Sequence, residues 1–150
     1  MREEETRVMK RSFRNLAWFA AGICAAILQP STIGAASAQD AETVKKIFAQ
    51  QLPNVPGNSL TAFVVEYAPG GKSPAHHHAG SVFAYVLTGA IRSQVSPGGP
   101  AKVYNAGERF FEPPGSSHLV SENASSTQPA SLLAVFVAPN DAKLTEAGAQ

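Results

Sequence analysis

Alternation of apolar and polar residues dominates the chain from residue 60 onward and predicts short β-strands. The runs combine Val, Ile, Phe, Tyr and Leu, which are favoured on pleated, half-buried surfaces. Spacers rich in Gly, Pro, Ser and Asn separate them at short intervals, which is typical of an all-β domain. The predicted strands are Leu60–Tyr67, Ser73–His78, Ser81–Thr88, Ala90–Val95, Ala101–Tyr104, Arg109–Glu112, His118–Ser121 and Ser131–Val137.

One segment before the strands has a different periodicity. Val44, Ile47 and Phe48 recur at spacings of three and one, which places them on one face of a helix. Asp40 is a suitable N-cap for that helix, and Pro53 would end it. The pattern therefore predicts one short helix ahead of the β-domain.

The first 38 residues have the layout of an export signal. Five of the twelve Lys and Arg residues lie within positions 1–15, ahead of the 13-residue apolar segment Leu16–Leu28. Such a segment is short for a membrane span and typical of a signal-peptide core. Ala36-Ser37-Ala38 then supplies a small-residue cleavage pattern. We expect cleavage after Ala38, a periplasmic or secreted protein, and no stable membrane association afterwards; a retained N-terminal anchor is the alternative.

The remaining residues are enough for one domain and exclude some functions. Residues 39–150 contain seven Lys and Arg against eight Asp and Glu, so no basic surface favours nucleic acid. They also contain no cysteine, which excludes disulfides and thiol chemistry there. We divide them into a helix and linker at 39–56, a β-domain at 57–138 and a C-terminal tail at 139–150. The tail is rich in alanine and predicts a loose end or a short helix.

The candidate chemistry lies in the histidines, which occupy only two places. His76, His77 and His78 are consecutive, and His118 follows a Pro-Pro-Gly turn some 40 residues later. On an extended strand His76 and His78 project from the same face, whereas His77 points the opposite way. Neutral imidazoles that converge inside a β-structure favour a transition metal. We therefore predict metal ligation by His76, His78 and His118, and solvent or a backbone hydrogen bond for His77.

Two spaced motifs carry a family resemblance. Gly71-x4-His76-x-His78-x10-Gly89 resembles the first cupin motif, and Gly107-x5-Pro113-x-Gly115-x2-His118-x4-Asn123 resembles the second, with Asn123 one place later than the asparagine usual in the family. The resemblance covers about residues 57–138. It implies a single antiparallel β-barrel of jelly-roll type, one bound divalent metal and frequent homodimers. It also assigns the ligand role to His76, His78 and His118, and turn roles to the motif glycines.

The chain departs from the family pattern at one position that affects the metal. The first motif usually supplies a carboxylate four or five residues after its second histidine, where this chain has Val82 and Phe83. The site thus resembles a three-histidine cupin without an anionic ligand. Such sites are similar to those of thiol and diketone-cleaving dioxygenases, which favours Fe(II). The ligand type alone leaves Mn, Ni, Cu and Zn open.

Several other side chains have two interpretations. Glu112 could be an outer fourth ligand or a general base, but a strand-end carboxylate in solvent is the favoured interpretation. Arg92 and Gln94 share a face and could line the barrel mouth or face solvent. Phe83 and Tyr85 are expected to pack in the core.

These observations predict an exported cupin that binds a divalent metal and acts as an oxygenase-like enzyme on a small organic substrate. Three neutral imidazoles would leave coordination positions open for water, substrate or dioxygen. No catalytic residue is assigned, because the sequence contains no recognisable nucleophile context. A non-catalytic periplasmic module that binds a small ligand or metal is the alternative, and a metal-free structural β-domain is a third possibility.

Overall fold

The computed structural model describes residues 41–149, and its secondary structure over that range is entirely β. All strand pairs are antiparallel. The predicted signal segment and its cleavage site lie outside the described residues. No helix that could cross a membrane is found within them. The strands are β1 Glu42–Gln51, β2 Asn58–Tyr67, β3 Lys72–Ser73, β4 His76–His78, β5 Ser81–Thr88, β6 Ala90–Val95, β7 Lys102–Asn105, β8 Arg109–Glu112, β9 Ser117–Asn123, β10 Ala130–Pro139 and β11 Thr145–Ala147.

The strands form two sheets that enclose the core. The first is ordered β1-β2-β10-β5-β8, and the second is ordered β11-β4-β9-β6-β7 with β3 paired to β9. No ladder joins the two sheets in the described range, so the jelly roll is a two-sheet structure rather than the closed barrel expected from the family. The buried apolar residues come from both sheets: Val65, Tyr67, Val82, Ala84, Val86, Ile91, Phe110, Ala130, Leu132, Ala134 and Phe136.

The prediction of an N-terminal helix is wrong, since Glu42–Gln51 forms strand β1. It pairs with β2 along its whole length, and the register shifts between Lys46 and Phe48. The shift is a β-bulge, which inserts one extra residue into a strand. Side chains alternate along a strand with a period of two, and the bulge interrupts this alternation. The resulting spacing of the apolar residues Val44, Ile47 and Phe48 resembles that of one helix face. All three side chains are more than half exposed, because β1 is an edge strand.

The C-terminal tail contains a strand, contrary to the loose end or short helix expected from its composition. Residues Thr145–Ala147 form β11, which pairs with the three histidines of β4. The pairing supplies backbone partners that a tripeptide strand cannot find by itself. Its sequence gave no such signal, because the partner lies almost 70 residues earlier in the chain.

The expectation that Phe83 and Tyr85 pack in the core is also wrong. Their side chains lie on the outer side of β5 and are 40% and 36% exposed. Val82, Ala84 and Val86 face inward instead, and each is at most 1% exposed. Both faces of this strand carry apolar residues, so composition could not distinguish the inner face from the outer.

Turn glycines behave as the motifs predict. Gly89, Gly107 and Gly115 have φ values of 67°, 89° and 75°, in the left-handed region that favours glycine. Asn123, the last residue of the second motif, holds the next turn: its amide donates to the carbonyls of Ala68 and Gln128 and accepts from Ser125 N. These residues stabilise the turns between strands, and the candidate site residues lie on the strands themselves.

Candidate metal centre

Two adjacent strands bring three of the four histidines together. His76 on β4 lies directly opposite His118 on β9, and His78 projects from the same face of β4 as His76. One ring nitrogen from each of the three lies within 4.8 Å of the others. His77 points away, and its Nδ1 lies 3.0 Å from the Gly148 carbonyl. The structure therefore brings together His76, His78 and His118, as the sequence predicts. His77 forms a backbone hydrogen bond, one of the two outcomes predicted for it.

Backbone carbonyls determine which nitrogen each β4 ring presents. His76 Nδ1 donates to the Pro74 carbonyl at 2.7 Å, and His78 Nδ1 donates to the Leu144 carbonyl at 3.0 Å. A carbonyl can only accept, so the proton of each neutral ring is on Nδ1 and the lone pair is on Nε2. This is the way in which metal-binding histidines are oriented by their outer hydrogen bonds.

Side chains, rather than backbone carbonyls, contact the two ring nitrogens of His118. Its Nε2 lies 2.8 Å from Ser93 Oγ in a buried hydrogen bond, and its Nδ1 lies 3.3 Å from Glu112 Oε1. The ring is 4% exposed, so both nitrogens contact protein rather than bulk water. When Nε2–H donates a hydrogen bond to Ser93 Oγ, Nδ1 carries the lone pair.

Glu112 is the site residue that the sequence interpretation placed wrongly. It is 3% exposed, and its Oε2 lies 3.6 Å from His78 Nε2 with no hydrogen-bond partner in the described chain. It is therefore not a strand-end carboxylate in solvent; a carboxylate lies beside the histidines although the first motif has Val82 and Phe83 where the family usually has one. One signal was available: Glu112 is two residues after the buried Phe110 and must share its inward face.

Burial determines the protonation of the two β4 rings. Loss of hydration lowers the pKa of His76 below 6.5, and the Pro74 carbonyl opposes this only in part. Loss of hydration likewise lowers the pKa of His78, against the opposing charge of Glu112 and the Leu144 carbonyl. Neutral imidazole is the form that binds metal. The fold therefore favours the ligand form of both rings at neutral pH.

A second polar group contains a buried tyrosine. Tyr67 Oη lies 2.6 Å from Ser73 Oγ and 2.9 Å from Ser121 Oγ, and Ser73 in turn donates to Glu42 Oε1 at 2.8 Å. Burial raises the pKa of Tyr67 to about 12, although the two serines oppose this. The phenol is therefore neutral at physiological pH and serves as a hydrogen-bonding group, not as a base.

Both polar groups line one cavity of about 370 Å³ between the two sheets. Most of its wall is apolar, and no lysine or arginine is among its lining residues in residues 41–149. The apolar lining comprises Val44, Phe63, Val65, Pro74, Ala75, Val82, Ala84, Phe110, Leu132, Ala134, Phe136 and Ala147. A cavity with this lining fits a small molecule that is largely apolar and has few polar atoms.

Arg92 and Gln94 lie outside this cavity. The Arg92 guanidinium pairs with Glu122, with Nε 2.6 Å from Oε1, and the Arg92 side chain is 54% exposed. Gln94 donates to the Gly99 carbonyl at 3.1 Å. Of the two interpretations that the sequence left open, the solvent-facing one is correct for Arg92, and neither residue reaches the histidines.

The C-terminal strand supports the site directly, which gives a first prediction. Ending the chain at Ala142 removes β11 and the carbonyl that holds His78 Nδ1. Losing such an outer hydrogen bond costs about 10- to 100-fold in metal affinity. We expect a loss of that size in a chelator competition assay. Glu146→Ala keeps the backbone pairing and is the control; equal affinities of the truncated and full chains would contradict the assigned role of β11.

Comparison with known families identifies the class of protein. Residues 63–136 match the model of the cupin domain family. This segment contains both histidine motifs and runs from within β2 to within β10, so the chain contains a cupin domain. No curated protein sequence matches the chain.

Solved structures show the same fold at low sequence identity. A DMSP lyase DddQ from Ruegeria pomeroyi has a TM-score of 0.57 at 19% identity, covering 72% of this chain and 52% of that chain. A protein with a double-stranded β-helix domain from Klebsiella pneumoniae has a TM-score of 0.56 at 18% identity, covering 73% and 86%. An oxalate oxidase in complex with glycolate has a TM-score of 0.56 at 22% identity, covering 72% and 55%. The chain thus spans about half the length of two of these structures, and the likeness establishes the fold alone.

Proposed function

We propose that this cupin is a divalent-metal-dependent, oxygenase-like enzyme that acts on a small organic molecule, with His76, His78 and His118 as metal ligands. The observation that carries the proposal is the convergence of three imidazoles at one side of an apolar cavity. The orphaned Oε2 of buried Glu112 fits a cation at the same place, because an unpartnered buried carboxylate oxygen is costly. Fe(II) is the favoured ion, with Mn, Ni, Cu and Zn as alternatives.

A bound ion would supply a Lewis acid and, for a redox metal, an electron-transfer centre. The protein contributes the surroundings. Pro74, Leu144 and Ser93 hold the three rings in fixed orientations through hydrogen bonds. The apolar wall limits water around a bound molecule, and Tyr67 offers a neutral hydroxyl to a polar atom of that molecule. The chain's own groups thus position and enclose a substrate, which is the main task of a protein around a reactive centre.

The cavity also limits the chemistry of the substrate. Its polar groups include two carboxylates, Glu42 and Glu112, and its lining includes no lysine or arginine. An anionic group far from the metal would therefore find no cation to pair with. We propose that the substrate has an apolar body with one metal-binding polar end and no second negative charge. Similar structures include an oxalate oxidase with glycolate bound, so small organic molecules do occupy this fold.

The function is tested by metal analysis and oxygen consumption. Purified protein is loaded with Fe(II), and oxygen uptake is recorded against thiols, diketones and catechols. Uptake with product formation for one class, abolished by His76→Ala and retained by His77→Ala, supports the enzyme. Tight metal binding without uptake for any class favours the alternative, a non-catalytic module that binds a small ligand or the metal itself. Absence of metal binding supports the metal-free domain instead.

The pH dependence of metal binding provides a second prediction. Burial lowers the pKa of His76 and His78 below 6.5, so protons compete with the metal only at pH values below that. Affinity should be constant above about pH 7 and decline as the pH falls below 6.5. The metal-free protein should also lose stability on acidification, because the unfolded state binds more protons there. A metal-free protein that becomes more stable between pH 7 and pH 6 would contradict this.

Export and dimerisation complete the proposal. We expect a mature protein that begins at Gln39, which N-terminal sequencing of the exported protein would test.

The outer face of the first sheet exposes Phe83, Tyr85, Leu87, Phe111 and Val137. Contiguous exposed apolar residues are typical of an interface, and a second copy of the chain is the proposed occupant. Light scattering should give the mass of a dimer, and Phe83→Glu should give a monomer; a monomeric wild type would contradict the proposal.

A further inference from the structure

Glu112 has the position of a metal ligand although it occupies an unspecified position of the second motif, directly before Pro113. Its Oε1 is 3.3 Å from His118 Nδ1, and its Oε2 is 3.6 Å from His78 Nε2. Ligand atoms that bind one metal at about 2.1 Å lie roughly 3.0–3.4 Å apart, depending on the coordination geometry. The two separations between Glu112 and the histidines lie at or near that spacing. Small rotations of the carboxyl group would bring either oxygen into a shared coordination sphere.

The surroundings of Glu112 do not otherwise explain a carboxylate. The side chain is 3% exposed, and Oε2 has no hydrogen-bond partner among the described residues. No lysine or arginine lines the cavity around it. A buried carboxylate oxygen without a hydrogen bond is unfavourable, whereas a cation between the carboxylate and the three imidazoles would compensate it. The ion that the proposed function requires therefore accounts for a group that the rest of the fold leaves unsatisfied.

The strand register explains how this position replaces one on the neighbouring strand. Val82 on β5 lies directly opposite Glu112 on β8, and both side chains face the cavity. The Cβ atoms of such a cross-strand pair are about 4.5–5.5 Å apart, so side chains at either position reach the same region. A carboxylate at position 82 or at position 112 could serve one metal. In this chain position 82 is valine and position 112 carries the carboxylate.

We propose that Glu112 is a fourth, anionic metal ligand, supplied by β8 to the three histidines of β4 and β9. The inference rests on the proposed metal site and extends its ligand set. It also determines what Val82→Glu would do. That substitution alone would place two carboxylates side by side, instead of adding a ligand that the site lacks. The informative variant therefore moves the carboxylate rather than adding one.

The test compares three variants by chelator competition with Zn²⁺ and by the visible absorption spectrum of bound Co²⁺, which reports the ligands. Glu112→Gln keeps the shape and removes the charge; we expect the dissociation constant to rise at least about 10-fold, with an altered spectrum. The double variant Val82→Glu/Glu112→Val returns a carboxylate from the opposite strand, and should recover most of the affinity. Glu66→Gln, on the exposed outer side of β2, is the matched control and should match the wild type.

The outcomes separate this inference from the proposed function. A wild type that binds neither ion overturns both. A wild type that binds metal, together with a Glu112→Gln variant of unchanged affinity and Co²⁺ spectrum, overturns the inference and leaves the three-histidine site intact. Circular dichroism checks folding of each variant. If the double variant does not fold, the Co²⁺ spectrum of Glu112→Gln decides, because a lost carboxylate ligand changes it irrespective of stability.

Discussion

Replacing His118 by alanine should lower the affinity for a divalent metal by more than about 100-fold. A directly bound imidazole contributes more than an outer hydrogen bond, whose loss already costs about 10- to 100-fold. His118 lies opposite His76 and faces the cavity, so no neighbouring nitrogen can substitute for it. The affinity is measured by chelator competition. The increase in melting temperature on adding metal should disappear as well, since a ligand stabilises the folded state only to the extent that it binds it.

The metal-induced shift is the appropriate thermal quantity, because His118→Ala also removes a buried hydrogen bond to Ser93. The metal-free variant can therefore be less stable for a reason unrelated to metal. His76→Ala is a useful second variant, as its ring bonds only to the Pro74 carbonyl in the described structure. His77→Ala, on the same strand but outside the cluster, should keep the full shift. Retention of wild-type affinity by both cluster variants would refute the three-histidine site.

Gly80→Ala should destabilise the protein by about 3 kcal/mol or more, or prevent folding, because the site has no room for a methyl group. A Cβ at this position would lie 2.1 Å from the Val137 carbonyl oxygen and 2.9 Å from Ala138 Cα. Both contacts are with the backbone of β10, which is held in its sheet by β2 and β5. Gly80 connects β4 to β5, so a shift there would also displace His78. Denaturant unfolding measures the loss.

Gly115→Ala is the matched control for that experiment. Gly115 has a φ of 75°, and a Cβ there would meet nothing within 4 Å. It should cost only the left-handed backbone penalty of about 1–2 kcal/mol. A Gly80→Ala variant no more destabilised than Gly115→Ala would mean that β10 moves aside easily, and would contradict the close packing between β10 and the β4–β5 connection.

Local sequence patterns were sufficient for most of the architecture. Alternation and turn residues identified the strands from β2 to β10, although Pro74 and Ala75 divide the predicted strand Ser73–His78 into β3 and β4. The spacing of His76 and His78 determined their common face, since side chains alternate strictly along a strand. Motif spacing then connected them to His118. Each of these inferences uses residues that are close in the chain or belong to a recognised pattern.

Inferences that depended on distant partners were less successful. Edge strand β1 contains a bulge, which disrupts the period that identifies strands, and it is stabilised by pairing with β2. Strand β11 exists because β4 offers free backbone groups, a fact that its three residues do not encode. Burial of Glu112 depends on the sheet that β8 joins and on the histidines of β4 and β9 beside it. Local propensity favoured solvent for a glutamate at a strand end, and tertiary contacts determined otherwise.

The register between Val82 and Glu112 has a consequence for how metal-binding cupins are recognised. In an antiparallel ladder, one point in space can be occupied from two positions that are far apart in the chain. During evolution a functional group can therefore move from one strand to its neighbour while the backbone and the chemistry stay the same. A motif search that requires the group at one of the two positions would classify such a protein as lacking it. Comparing paired positions across a sheet, rather than single columns of an alignment, would recover these cases.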